Sequence, residues 1–578
     1  MATDNKYDRQ LRLWGASGQK ALSSCCVVLI NCTASGTETL KNLVLPGIGR
    51  FHIIDDKLVK PSRSNEFSNF FVYDHDEIQP KSQKSRAEIA TLHLQELNPD
   101  VKGSYTSVDS LATTDFSSLF TTIQKQLESD TQIIVVAADL PPPILKTIAG
   151  VTWGGGRERA SSPSIPLVIV KSFGLIGSVR VQVPYHPIVE SKRTSKPDLR
   201  LTLSKHEFPE LHQFVGEFNL DELSNEAHGH VPFVIILIKA LDKWRKSENI
   251  GNEALPKTFK EKSKFKEIIK SMARDHNNEL NFQEAEQNDY LAYSIKEMSS
   301  EVQDLLSNIG DIFQNDKSCL EISTFDVLLL ALKRFIETNG GEPPFDGGIP
   351  DMTSATQPYI RLQEIYKSRA EMDRMKIKGL VEDIVNEYSS KGLVIPSISN
   401  EYISTFCKNI HNLQLLQTRS FTEEFNFSYS SLEQKEEILG DIAAATYDPY
   451  EVPEHTPLLW FIALRACEAF YDEYGQYPGK KVTESDVSSV HDHIIKILQQ
   501  FDLINNDLIQ STILSNDNDK SFARELVRYN NAEVHTVASI VGGIASQEAV
   551  KLVTKQYVPI SGTYIYNGIA GVADVYTF

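Results

Sequence analysis

Cys25–Ile30 reads CCVVLI, and the six residues that follow, Asn31–Gly36, read NCTASG. A continuous apolar run of this kind is what a strand buried on both faces presents. The polar loop Asn31–Ser35 leads into a helix-like segment, Gly36–Leu45, which Pro46-Gly47 ends. Arg50–Ile54 (RFHII) reads as the next strand and closes on Asp55-Asp56. Arg86–Leu97 has helical periodicity and is stopped by Asn98-Pro99, while Gln132–Ala137 and Pro166–Ser172 are strand-like again. Strands alternating with helices predict an α/β unit, a mostly parallel sheet with helices on both faces.

From about residue 190 the apolar spacing turns helical, over Phe233–Lys246, Phe259–Met272, Asp326–Thr338, Tyr359–Tyr388, Leu458–Tyr474 and Asp486–Phe501. Polar loops such as Asn339–Pro350, with four glycines and three prolines, interrupt it. No repeating period runs through this region, which argues against a solenoid. Near the end, His535–Val553 reads as a buried helix whose Gly542-Gly543 would let another backbone approach closely; Tyr564–Tyr566 and Val572–Phe578 read as terminal strands. The expectation is a sheet that is begun over 1–188, interrupted by a mostly helical insertion over 189–515, and completed over 516–578.

At 578 residues the chain has room for two to four domains at roughly 150 residues each. Its 58 basic and 77 acidic residues give a net charge of −19, which disfavours nucleic acid or an anionic membrane as the main partner. The longest apolar runs, Ile165–Val170 and Val231–Ile238, are far shorter than a membrane span, and residues 1–6 lack the character of a signal peptide. A soluble intracellular protein is expected. None of the six cysteines forms a Cys-x-x-Cys pair, and neither His228/His230 nor His491/His493 has a metal-ligand pattern around it. Buried thiols and structural histidines are expected.

The strand–loop–helix at Val28–Leu40 is where dinucleotide and mononucleotide folds place Gly-x-Gly-x-x-Gly. The first glycine makes the turn, the second admits phosphate to the backbone, and the third lets helix pack on strand. Only the third is present, as Gly36, and Asp55 stands nineteen residues on, where a ribose-binding acid belongs. The side chains of Asn31 and Thr33 are expected to occupy space that a phosphate needs. Loop geometry alone leaves two readings open: an α/β unit that never bound nucleotide, or a nucleotide site that has decayed.

The flanking residues bear on that choice. Tyr7–Gly15 (YDRQLRLWG), Gly36–Leu43, Asn98-Pro99 and Glu533–Glu548 resemble the signatures of ubiquitin-activating-type adenylating enzymes. Asn42–Gly49, Pro256–Lys262, Gly348–Met352 and Leu552–Gln556 resemble, more narrowly, the regulatory subunits of neddylation-activating enzymes, the amyloid-precursor-protein-binding protein family. These matches run from residue 6 to residue 570 and include the helical region.

The resemblance implies a Rossmann-like adenylating-enzyme fold with its own nucleotide site lost. Active subunits of the superfamily carry Gly-x-Gly-Gly-x-Gly where this chain has Asn31–Gly36, and an Asp where Lys57 stands. Ser68-Asn69-Phe70 replaces a segment that supplies a phosphate-contacting arginine. The essential lysine falls at Arg86, with Lys84 nearby, and Asp139 matches the magnesium-binding acid. No cysteine has the context of a thioester-forming nucleophile. By the same resemblance, no cofactor is bound here and ATP and magnesium belong to a catalytic partner subunit, into whose site Arg9 reaches. A guanidinium is suited to that task because its fork pairs with phosphate oxygens.

The expected function is therefore that of a regulatory subunit without independent activity. It belongs to a heterodimer that adenylates a Nedd/Rub-type ubiquitin-like modifier and passes it to a cysteine of the partner. Cytoplasmic and nuclear localisation is expected. The alternatives are a regulatory half for a SUMO-type modifier, a self-sufficient adenylating or dinucleotide-using enzyme, and a scaffold in which Arg9 is idle. Phe67–Val72 (FSNFFV), with three phenylalanines in six residues, is the candidate exposed contact surface, the alternative being that these rings fill the chain's own core.

Overall fold

The apolar run at the start of the chain forms a central strand, and the rest of the sheet is built outward from it. The computed structural model describes residues 6–59, 68–72, 84–128, 131–154, 164–191, 197–248, 251, 254–294, 296–314, 322–391, 395–446, 452, 455–481, 483–515 and 520–578. Ten strands occur in them: β1 (Cys26–Ile30), β2 (Arg50–Asp55), β3 (Lys102–Ser107), β4 (Ile133–Ala138), β5 (Leu167–Phe173), β6 (Ile176–Gln182), β7 (His186–Ile188), β8 (Gln414–Leu416), β9 (Thr563–Asn567) and β10 (Val572–Tyr576). Eight make one sheet in the order β10-β9-β6-β5-β4-β1-β2-β3; β7 and β8 pair separately. The five strands from β5 to β3 are parallel, and β6, β9 and β10 add on antiparallel.

Alternation along β1 explains why its sequence is apolar throughout. Val27 and Leu29 face a core shared with helices α1 (Asp8–Ser23), α2 (Ala34–Val44), α3 (Arg86–Leu97) and the helix His535–Thr554. Cys26, Val28 and Ile30 face the opposite core, against α4 (Phe116–Lys125) and α5 (Pro142–Trp153). Period-2 side chains with both faces covered leave no position for a polar residue.

The chain divides into two compact units, 1–188 with 415–578, and 189–414. The expected return of the sheet domain at residue 516 is corrected by about a hundred residues. Helices Pro457–Tyr474, Glu484–Gln500 and Ser521–Tyr529 pack on the antiparallel end of the sheet, with Leu458, Phe461 and Val487 in one core with Phe173, Ile176 and Ile565. The 189–414 unit is helical. Its helix Phe233–Glu248 is apolar on nearly every side over its first half and shares a core with Phe265, Phe282 and Tyr366.

Candidate functional site

β1 and β4 are neighbouring parallel strands whose C-terminal loops lead to helices on opposite faces of the sheet, α2 and α5, the crevice where open α/β sheets bind ligands. Asn31 follows β1 with φ 70°, the left-handed conformation that glycine takes most easily. Its amide is tied down: Nδ2 donates to the carbonyls of Ala138 (2.7 Å) and Asp139 (3.2 Å), and Oδ1 accepts from Arg86 Nη2 (2.9 Å). Thr33 is the N-cap of α2. A Cβ on Gly36 would lie 2.9 Å from Ala138 Cβ and 2.9 Å from Leu29 Cδ1, which is the close helix–strand packing expected of the third glycine. Gly542 has the same role on the outer side: a Cβ there would meet Glu38 Cβ at 2.8 Å, whereas Gly543 faces open space apart from Asn42 at 4.0 Å.

The α2 N-terminus is where the fold offers amides to a phosphate. Here those amides hold a carboxylate of the chain itself. Glu533 accepts from Ala34 N at 2.6 Å and Ser35 N at 2.9 Å, one oxygen to each. The acid at the ribose position is also committed. Asp55 takes the Arg86 guanidinium (Nη2–Oδ2 2.6 Å, Nε–Oδ1 3.2 Å) and accepts from Cys32 N and Lys57 N at 2.6 and 2.7 Å. Asp139 accepts from Ser35 Oγ (2.8 Å) and Ser172 N (2.9 Å). Burial raises its pKa well above the usual carboxyl range, and the adjacent charge and hydrogen bond of Glu533 raise it further. The remaining cavity between Asn31, Lys57, Asn69, Arg86 and Glu533 is about 160 Å³, against roughly 300–1,000 Å³ for small-molecule sites.

Asn31 and Thr33, the obstruction expected from the sequence, are only part of it. The structure assigns the larger part to Glu533, some 500 positions away in sequence, and to Arg86, whose guanidinium turns onto Asp55. No local pattern marks Glu533 as a partner of the loop.

Arg9 lies on the first turn of α1, exposed. Asp8, its nearest acid in sequence, pairs instead with Arg12 (2.9 Å), and Arg9 has no ion pair or hydrogen bond among the described residues. The turn that carries it is anchored. Tyr7 accepts from Asn98 Nδ2 (3.1 Å) and donates to Asp100 (3.3 Å), and its ring packs so tightly on Gly47 that a Cβ there would sit 2.7 Å away. Asn98 Nδ2 also donates to Val44 O at 2.8 Å. Three separated motifs thus meet at one corner. Along α1, Trp14 packs on the core, while Leu13 is 59% exposed; the helix breaks at Gly15 (φ 67°).

Within the expected contact surface, Phe67 lies outside the described residues. Phe70 is 64% exposed and meets His535 edge-on at 4.4 Å, whereas Phe71 packs against the core. Cys25, Cys26, Cys32, Cys407 and Cys467 are buried free thiols; Cys319 lies outside the described residues. Burial pushes Cys25 up to about 12, Cys26 to about 11 and Cys407 to about 12, far from the thiolate range of a nucleophile. His228 is paired with Glu279 (2.6 Å) and stacked on Phe282, a structural setting. Among the described residues there is no metal-ligand cluster, and no helix is long and apolar enough to cross a membrane.

This is the fold of the adenylating α/β domains, and residues 7–144 match the ThiF family. Relatives align from end to end. The NEDD8-activating enzyme E1 regulatory subunit of Xenopus laevis is 34% identical, over 98% of this chain and 97% of that one. The NEDD8-activating enzyme E1 regulatory subunit AXR1 of Arabidopsis thaliana is 35% identical, over 98% and 94%. The corresponding subunit of Saccharomyces cerevisiae is 24% identical, over 99% of both. The chain belongs to the family of NEDD8-activating enzyme E1 regulatory subunits.

Proposed function

We propose that this chain works as the non-catalytic half of a heterodimer, in the cytoplasm and nucleus, and that its catalytic partner adenylates a NEDD8/Rub-type modifier with ATP and magnesium. The observation that carries the reading is the Glu533 carboxylate on the α2 amides. A nucleotide phosphate needs those same amides, and a second negative charge beside the Glu533 carboxylate would be repelled. With Asp55 consumed by Arg86 and a cavity of about 160 Å³, the residues of this crevice do not fit ATP. The chain contributes instead Arg9, held on the Tyr7 corner with no internal partner among the described residues, as a cation for phosphates bound by the partner. The thioester forms on the partner, because the thiols described here are buried.

Calorimetric titration separates this reading from a self-sufficient enzyme. ATP with magnesium is expected to give no heat of binding with the isolated chain, and one site per heterodimer once the catalytic subunit is added. Micromolar binding to the isolated chain, about −8 kcal/mol, would contradict it.

A further inference from the structure

On the antiparallel side of the sheet lies a second charged cluster that the nucleotide-type crevice does not explain. Four cations, Lys171, Arg180, Arg419 and Arg465, and two carboxylates, Glu424 and Glu468, are each at least nine-tenths buried. Glu468 is shared between Lys171 (2.5 Å) and Arg465 (3.0 Å). Glu424 takes Arg180 Nε at 2.6 Å, and Arg180 Nη2 donates to the carbonyl of Arg419 at 2.8 Å. Burial opposes the Lys171 charge, but Glu468 and Tyr477 override it and raise its pKa; burial likewise opposes the Glu468 charge, and Lys171 and Arg465 override it. Both ends of that pair stay ionised. Around the cavity, three cations (Lys171, Arg180, Arg465) face two carboxylates (Glu424, Glu468), an excess of one positive charge; Arg419 lies outside that lining and has Glu423 as well as Glu424 beside it. Of the acids nearby, Glu533 is engaged by the α2 amides, Asp472 is paired with Lys146, and burial together with Glu533 shifts Asp139 toward its neutral form.

Buried charge of this kind is costly unless a counter-charge comes with it. The place for one is visible. A cavity of about 30 Å³ is lined by the cations Lys171, Arg180 and Arg465, the carboxylates Glu424 and Glu468, and Thr563. Arg180 and Thr563 are cross-strand neighbours on β6 and β9, and Arg180 Nη1 and Thr563 Oγ1 are both buried with no hydrogen-bond partner among the described residues. Two donors from adjacent strands, both unsatisfied, line the same small space. Its volume suits one particle the size of a water or a monatomic ion and excludes a phosphate ester. Water would satisfy the donors but leave the charge.

We infer that the cavity between β6, β9 and the helix Pro457–Tyr474 holds a resident monatomic anion of the halide class, bound by Arg180 Nη1 and Thr563 Oγ1. The anion neutralises the junction where the returning segment 415–578 docks on the sheet. The anion site adjoins the crevice, because Lys171 precedes Ser172, whose amide donates to Asp139 at 2.9 Å.

Crystals of the full-length chain soaked in bromide test this directly. An anomalous peak is expected within hydrogen-bonding distance of Arg180 Nη1 and Thr563 Oγ1. In solution, chloride at fixed ionic strength is expected to raise the melting temperature over gluconate, by roughly 2 °C per tenfold excess over its dissociation constant. Thr563→Val, which removes one donor and no charge, is expected to weaken that chloride dependence severalfold. A water in the cavity with no bromide peak, together with identical melting in chloride and gluconate, would overturn the inference.

Discussion

Replacing Glu533 by alanine removes the internal anion from the α2 N-terminus. Two amide–carboxylate hydrogen bonds are lost, at 2.6 and 2.9 Å. Bonds to a charged group contribute about 1.5–3 kcal/mol each, and a charge at a helix N-terminus adds about 0.3–1 kcal/mol. Two effects reduce the loss: Glu533 is only half-buried, so water reaches the freed amides, and Asp139 no longer has a carboxylate beside it. The net cost expected for Glu533→Ala is about 2–3 kcal/mol, and about 1 kcal/mol for Glu533→Gln, which keeps one neutral acceptor. Hydrogen exchange of peptides covering residues 31–40 reads the change locally. A specific rescue is also expected: inorganic phosphate, which the wild-type cradle excludes, should restore protection in Glu533→Ala. The pH dependence has a definite sign. Asp139 is raised by burial and by Glu533, so the native state keeps a proton that the unfolded chain releases near pH 4. Wild-type stability from this group is full below about pH 4 and declines as pH rises through the native pKa. In Glu533→Ala that window narrows. Unchanged exchange in the variant, or protection that ignores phosphate, would refute the assignment of Glu533 as the occupant of the cradle.

Three further outcomes are expected. Phe70→Asp should leave the monomer folded and weaken assembly with the catalytic subunit, whereas Phe71→Asp, packed against the core, should unfold it by circular dichroism; the reverse pattern would remove this segment from the interface. Non-reducing electrophoresis of the working heterodimer should show no modifier thioester on any of this chain's six cysteines. His52, held between Ser104 (2.8 Å) and Thr106 (2.9 Å), is lowered by burial to about 4. Its contribution is thus full above about pH 6.5 and lost as pH falls toward 4, so urea unfolding of His52→Gln should depend less on pH across that window.

What could be read in advance follows from how local each cause is. The buried strand β1, the packing glycine Gly36 and the helix Arg86–Leu97 are legible because their periodicity or loop chemistry lies within a dozen residues. The edge strand β3, Lys102–Ser107, is not marked in the sequence: five of its six residues are polar or glycine and it pairs on one side alone. Strand β6 is hidden differently, since Arg180 and Gln182 are buried polar residues that break its apolar pattern. Helices at 457–474 and 484–500 carry the same period as those of the 189–414 unit, and helical period does not say which core a face will join. The candidate site was half legible. The missing glycines and the position of Asp55 are local, while Glu533 on the α2 amides and Arg86 on Asp55 are contacts made only when the chain closes on itself.

The central claim is that this chain gives the reaction a side chain rather than a nucleotide site. Pyrophosphate exchange by the reconstituted heterodimer, at saturating ATP and modifier, tests it with wild type, Arg9→Ala and Arg9→Lys. Because Arg9 makes no ion pair among the described residues, Arg9→Ala is expected to leave assembly unchanged. The exchange rate should nonetheless fall roughly a hundredfold, about 3 kcal/mol of transition-state stabilisation, and Arg9→Lys should recover part of it because charge is kept and the fork is lost. A wild-type rate from Arg9→Ala would contradict the account and leave the chain a scaffold.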